Sequence, residues 1–314
     1  MTAIVAGTAV LSGQAAPRHG SATTRRPVAT PAVRTAAKAN ASCDSESRRI
    51  SLTPRDTTGP AVEQIRKRGY LIAGVDQNSY RWGYRDSQTG ELQGFDIDLV
   101  RAIAKEVLGD PTKVRFKAIT TTKRIPALER RTVDVVVRTM TILCERLEKV
   151  AFSAVYFENG QQLLTPRASP VKAFDASLKG LKVCTGASST GEKYLKNEGA
   201  SVVAHDDVVT RENQLDCLML MQLGQVDAIL TDNALAAGLA AQDPTVHLVG
   251  EVLTQEPYGV AMNKNDTDLV RRVNEVIQRR ASGGPPSQWK DSYNHWLGKY
   301  MGDSAEPPEP QFAG

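Results

Sequence analysis

The residues of this chain best placed for chemistry lie just past a buried strand. In VDVVVRTMTILCERLEKVAFSAVYF, Val133 to Phe157, the valines 133, 135, 136 and 137 read as that strand, and Arg138, Thr139, Thr141, Cys144 and Arg146 follow at once. A guanidinium held rigidly at a strand's carboxyl end can clamp a carboxylate through two parallel charge-assisted bonds. Such bonds are worth roughly 1.5–3 kcal/mol each. The plain alternative for Arg146, flanked by Glu145 and Glu148, is a solvated charged turn. Asp232 ends a second strand-like run, VDAILTD, where it is also a natural N-cap for the helix pattern behind it.

Other chemistries lack their residues. His205, His247 and His295 have no metal-ligand spacing, so no metal is expected. TGASSTG lacks the Gly-Lys-Ser/Thr ending of a phosphate loop, and no Gly-x-Ser-x-Gly elbow occurs. No catalytic residue and no cofactor are predicted. Cys43, Cys144, Cys184 and Cys217 are an even set at wide spacing without Cys-x-x-Cys, which fits disulfides of an exported protein better than zinc. They allow three pairings.

The elements that must position these residues alternate. GPAVEQIRKRG reads as a helix and YLIAGV as a strand; FDIDLVRAIAKEVLG is a helix with Phe95, Leu99, Ile103 and Val107 on one face, ended by Gly109. KVRFKAI is a second strand, TTKRIPALERR a short helix started by Thr122, and VDVVV a third strand. This alternation predicts a mainly parallel sheet with its sites at strand carboxyl ends. A second, smaller unit repeats it from near Pro166, and EPYGVAMNKND returns to the first. RRTVDVVVRTMT and LGQVDAILTDNA echo each other, as two similar α/β lobes facing across a cleft would.

The net charge of +4 is concentrated at the start: residues 1–55 hold eight Lys/Arg against two acids, which leaves the remainder at about −2. That argues against a nucleic-acid surface on the folded part. The opening MTAIVAGTAVLSGQAAP is similar to the end of a secretory signal without its basic start. Residues 1–16 are therefore expected to be a signal remnant, and 17–58 an extended Ala/Thr/Pro/Arg-rich linker. Gln14 stands where a lipoprotein would carry its acylated cysteine, so the expected location is extracytoplasmic, secreted or envelope-associated without a lipid anchor.

In order and spacing, GFDIDLVRAIAKEVLG, RIPALERRTVDVVVRTMTILCER, VAFSAVYF, GQVDAILTDNALAAGLAAQDP and EPYGVAMNKND resemble the bacterial extracellular solute-binding proteins of family 3, the polar amino-acid receptors of ABC importers. The resemblance covers about Ala61 to Tyr300, and TILCER with KVCTG makes the actinobacterial glutamate- or glutamine-type members the most similar. It implies an α/β, two-lobed periplasmic-binding-protein type II fold. Lobe 1 would comprise 59–157 and 257–300, lobe 2 would comprise 161–255, and 301–314 would be a disordered tail.

The resemblance also implies roles. Arg146 would hold a ligand α-carboxylate, with Thr141 supplying a hydroxyl or backbone N–H beside it and Thr139 nearby. Asp232 would take the ammonium, and Ser189 and Thr190 would complete the carboxylate cage, although Ser188 stands where the family usually has glycine. Asp76, Tyr80 and Trp82 are candidates for the side-chain wall. Arg138, where small residues are common, would face a side-chain carboxylate or pair with a neighbouring acid, and Arg81 is a second candidate. Cys184 with Cys217 would lie within lobe 2, and Cys43 with Cys144 would tie the tail to lobe 1, against four reduced buried thiols. The function so implied is capture of glutamate, aspartate or their amides by a monomer that delivers them to an ABC permease. The alternatives are a sensor signalling to a membrane partner and a dehydratase using Glu158 as its proton donor.

Overall fold

Local signals set the ends of the helices that frame the first lobe. In the computed structural model, which describes residues 43–314 apart from Thr57, Pro285, Pro286 and Asp303, Pro60 opens the helix Pro60–Arg68. Gly69 closes it in the left-handed region at φ +82°. The helix Phe95–Leu108 buries Phe95, Leu99, Ile103 and Val107 on the face that the sequence spacing predicts, and stops at Gly109, φ +75°. The remaining short helix starts later than expected: Thr121–Lys123 form one tight turn before Arg124–Glu129.

Two five-stranded sheets carry the molecule, and they share one topology. The first runs Val114–Ala118, Leu71–Val75, Val135–Val136, Tyr258–Asn263, Val150–Phe157. Its first three strands are parallel, and the last two join antiparallel. The second runs Val208–Arg211, Val183–Gly186, Ala228–Asp232, Gln161–Pro166, Val246–Val249, again with three parallel strands followed by two antiparallel ones. The two echoing segments occupy the same third position in their sheets. Apolar side chains cover both faces of each, as a largely parallel sheet requires. Among the described residues no helix is long and apolar enough to cross a membrane.

Two crossings join the lobes, at residues 157–161 and 253–258, and they are bonded to each other. Glu256 N–H donates to Asn159 O at 2.6 Å, and Asn159 Nδ2 to Glu256 O at 2.6 Å. They also pack too closely for a side chain at Gly160, whose Cβ would lie 1.9 Å from Thr254 O.

The expectations for the two ends need correction. Residues 1–16 and the linker before Cys43 lie outside the described residues, but 43–56 are not an extended linker. Cys43 is bonded to Cys144, Arg48 donates to Ile142 O and Gln255 O, Arg49 pairs with Glu158, and Ser51 Oγ donates to Phe152 O. Nor is 301–314 a structureless tail, because Phe312–Ala313 pairs in parallel with Ser51–Leu52. Most partners of residues 43–56 lie about 100 to 200 residues further along the chain, and Phe312–Ala313 finds its strand partner at the opposite end, which no local composition reveals. The Cys184–Cys217 bond is buried inside the second lobe. The Cys43–Cys144 bond spans 101 residues, for which loop entropy gives about 4–5 kcal/mol. Replacing both cysteines by serine is therefore expected to lower the urea unfolding free energy by about 2–4 kcal/mol while the fold is retained. An unchanged midpoint and slope would show that the bond adds no stability.

Candidate functional site

Strand carboxyl ends from both sheets converge on one cleft. From the first lobe come Thr121 after Val114–Ala118, and Arg138, Thr139 and Thr141 after Val135–Val136; Asp232 ends Ala228–Asp232 in the second. Arg146 sits on the short helix Cys144–Leu147, and Ser189 and Thr190 begin the helix Thr190–Lys196 behind Val183–Gly186. Arg138, Thr139, Thr141, Arg146, Ser189, Thr190 and Asp232 all line one interlobe cavity, with Thr121, Arg124, Gln214 and Leu235. The lobes touch across it, and the cavity measures about 10 Å³, room for roughly one water. An amino acid can enter only when the lobes part. A broader depression of about 570 Å³, lined by Glu145 and Lys193 among others, shares Arg146 and Ser189 with it.

Arg146 is not a solvated turn residue. It is 8% exposed, donates from Nη1 to Thr141 O at 2.8 Å, and is bent over the cleft while its neighbour Glu145 pairs outward with Lys193. Burial pulls its pKa below the usual guanidinium value, and the nearby carboxylates of Glu256 and Asp232 oppose that shift. Asp232 occupies the N-cap position of the helix Asn233–Gln242, yet its side chain makes no capping bond. Its carboxylate instead accepts from Gln161 Nε2 and the Tyr258 hydroxyl, one oxygen each. Burial, then repulsion from Glu256, raises its pKa to about 7.

Thr139 takes a left-handed backbone, φ +41°, unusual for a β-branched residue, and Asp96 holds it by accepting the Thr139 N–H at 3.0 Å. Asp96 is itself pushed up to about 7 by burial, against the opposing bond from Tyr156 Oη at 2.9 Å. Ser189 caps its helix, accepting from Glu192 N–H at 3.1 Å. Ser188, in the family's glycine position, sits at φ +56°, where glycine would be unstrained.

The wall candidates Asp76, Tyr80 and Trp82 fall elsewhere, and Arg138, which lines the cavity, is already paired. Arg138 is 2% exposed and faces Asp76 Oδ2 at 2.9 Å, so the neighbouring-acid reading describes its environment. Its Nε and Nη1 are used by Ile119 O and Thr121 Oγ1, both at 2.8 Å. Asp76 is consumed by that pair and by donors from Gln77, Asn78 and Ser79. Trp82 is fully buried in the first lobe's aromatic core against Phe95, Phe157 and Tyr258, and its indole N–H donates to Ala234 O of the second lobe at 3.1 Å. Tyr80 stacks edge-on with Tyr84, and Arg81 lies over Tyr80 and Tyr300 and donates to His295 O. None of Asp76, Tyr80, Trp82 and Arg81 lines the cavity. Glu158 is half-exposed on the hinge, paired with Arg49, and does not line the cavity.

Four residues of the cleft and hinge were missed. Arg124 is 5% exposed and donates to the carbonyls of Thr121, Arg138 and Thr139 (3.1–3.4 Å). Burial drives its pKa well down, and the neighbouring Arg146 and Arg138 charges add to that. Gln161 and Tyr258 orient Asp232 from the hinge. Glu256, 4% exposed, accepts from three threonine hydroxyls. Arg124 and Glu256 stand within RIPALE and EPYG, where a charged residue one or two positions before a proline, at a helix start or hinge crossing, was the available signal.

Two similar α/β lobes, two hinge crossings and a polar cleft of strand carboxyl ends define the type II periplasmic-binding-protein fold. The chain belongs to the bacterial extracellular solute-binding proteins, family 3, whose description matches residues 71–299. It is 33% identical over 243 residues to the ABC transporter glutamine-binding protein GlnH of Bacillus subtilis (strain 168), covering 77% of this chain and 86% of the relative. To the glutamate/aspartate import solute-binding protein of Salmonella typhimurium (strain LT2) it is 27% identical, covering 75% and 80%. Among solved structures, an ancestral arginine-binding protein bound to glutamine matches with a TM-score of 0.66 at 36% identity, covering 73% of this chain and 98% of that one.

Proposed function

We propose that the protein captures glutamate, aspartate or one of their amides between its lobes outside the cytoplasmic membrane and delivers it to the permease of an ABC importer. The observation that carries this is the pairing, in one cavity, of a buried guanidinium and a buried carboxylate from opposite lobes, Arg146 and Asp232. An α-amino acid offers the complementary pair, a carboxylate for Arg146 and an ammonium for Asp232. Ligand contacts to both lobes would then stabilise the closed form by their differential affinity. Arg124 supports an acidic or amide side chain. It brings a second buried guanidinium to the cavity, and its hydrogen bonds among the described residues go to main-chain carbonyls rather than to an acid. The glutamine and glutamate/aspartate names of the relatives point the same way.

The test is calorimetric titration of the oxidised protein with glutamate, aspartate, glutamine, asparagine and arginine. The expected result is one-site binding, micromolar or tighter, of at least one acidic or amide ligand, with arginine weakest. Absence of heat and of any thermal shift with all five would remove amino-acid capture as the function.

A further inference from the structure

One buried carboxylate in the cleft is not needed to meet an amino acid. Glu256 lies on the second hinge crossing, next to Pro257, and its side chain points between the lobes. Its Oε2 accepts from Thr141 Oγ1 of the first lobe at 3.0 Å and from Thr190 Oγ1 of the second at 2.5 Å. Its Oε1 accepts from Thr254 Oγ1 at 3.0 Å. A hydroxyl has one hydrogen to give, so Thr141 and Thr190 have committed theirs to the same carboxylate oxygen. Hydrogen bonds to an ionised acceptor are about twice as strong as neutral ones, and stronger again in a site shielded from water.

We propose that Glu256 is a hinge-borne latch that ties one hydroxyl of each lobe to a single carboxylate and so stabilises the closed cleft before any ligand is present. Opening the cleft must separate Thr190 from Thr141, and Glu256 can follow only one of them. The latch therefore sets the balance between open and closed forms. Glu256 is a positioning residue, since it acts through the two threonines that line the cavity and does not itself line it. Its main chain is already held by the two Asn159 bonds, so the side chain is free of the task of joining the hinge strands.

The experiment compares the full oxidised chain with Glu256→Gln, Thr190→Val and the double variant, all without ligand, by small-angle X-ray scattering and by acrylamide quenching of tryptophan fluorescence. Trp82 is a built-in reporter, because its indole N–H bonds to Ala234 across the lobes, a bond that opening must break. Each single variant should have a larger radius of gyration and stronger quenching than wild type, and the double variant should match the singles, since one shared bond is lost. Equal radii and quenching in all four proteins would overturn the latch. If Glu256→Gln does not fold, Thr190→Val decides alone, because it removes one arm and leaves the hinge intact.

The affinity consequence rests on the amino-acid reading: for whichever ligand binds wild type, Kd should weaken at least about tenfold in each single variant. Wild type that binds no amino acid while the ligand-free differences persist would sink that reading and leave the latch standing. Wild type that binds, with variants unchanged in radius, quenching and Kd, would do the reverse.

Discussion

Arg146→Ala is expected to abolish measurable amino-acid binding while leaving the protein folded. In the proposed reading the guanidinium meets the ligand carboxylate, and among the described residues its side chain is tethered by the 2.8 Å bond to Thr141 O. Two charge-assisted bonds at roughly 1.5–3 kcal/mol each amount to a loss of about 100-fold to 10,000-fold in Kd. Truncation also relieves a buried charge that forms no ion pair with Glu256 or Asp232, so the cost to folding is expected to be small. Calorimetry with glutamate and glutamine, beside a thermal melt, checks both halves. Binding within a few-fold of wild type would show that the carboxylate is held elsewhere. Arg146→Lys should recover only part of the affinity, because an ammonium cannot form the parallel pair.

The second large effect is in pH. Asp232 must be ionised to meet an ammonium, yet burial and the Glu256 charge hold its pKa near 7 without ligand. Affinity should therefore be level above about pH 7.5 and fall by about tenfold per unit below 7, so that Kd at pH 5 is weaker by about 100-fold. Asp232→Asn should bind about 100-fold more weakly at pH 8 and lose most of this slope, and any that remains reports on Asp96, which titrates in the same range.

The stability of the unliganded protein moves the other way. A carboxyl whose pKa is higher folded than unfolded binds its proton more tightly in the folded state. Stability from Asp232 and Asp96 is thus fully present below about pH 4 and is lost as pH rises through 7. Chemical unfolding of wild type and Asp232→Asn between pH 5 and 8 should show the wild type losing more stability over that window. An identical pH dependence of binding in the two proteins would show that Asp232 does not carry the ammonium.

What the sequence determined by itself is whatever depends on neighbours in the chain. Helix faces such as Phe95, Leu99, Ile103 and Val107, terminal glycines at 69 and 109, and apolar runs before polar strand ends are local periodicities, and they yielded the α/β alternation, to which the family resemblance added the two-lobed fold. The repeated Val-Asp strand marked the same position in two sheets, with Asp232 at the end of one, and the family resemblance added Arg146 beyond the other.

Tertiary structure decided the partners. Whether Arg138 meets a ligand or Asp76 depends on two strand ends brought side by side by a parallel sheet, and the sequence left both readings of Arg138 open. Trp82 has the composition of a wall residue but the position of a core residue, because the turn carrying it folds inward against Phe95 and Tyr258. Arg48 and Arg49 read as part of a basic tail until the hinge supplied their acceptors. Glu256 shows the general reason: a single acid in a hinge motif gains its meaning only when two threonines from different lobes approach the same oxygen, and hydrogen bonds between residues far apart in the chain leave no period for a sequence to display.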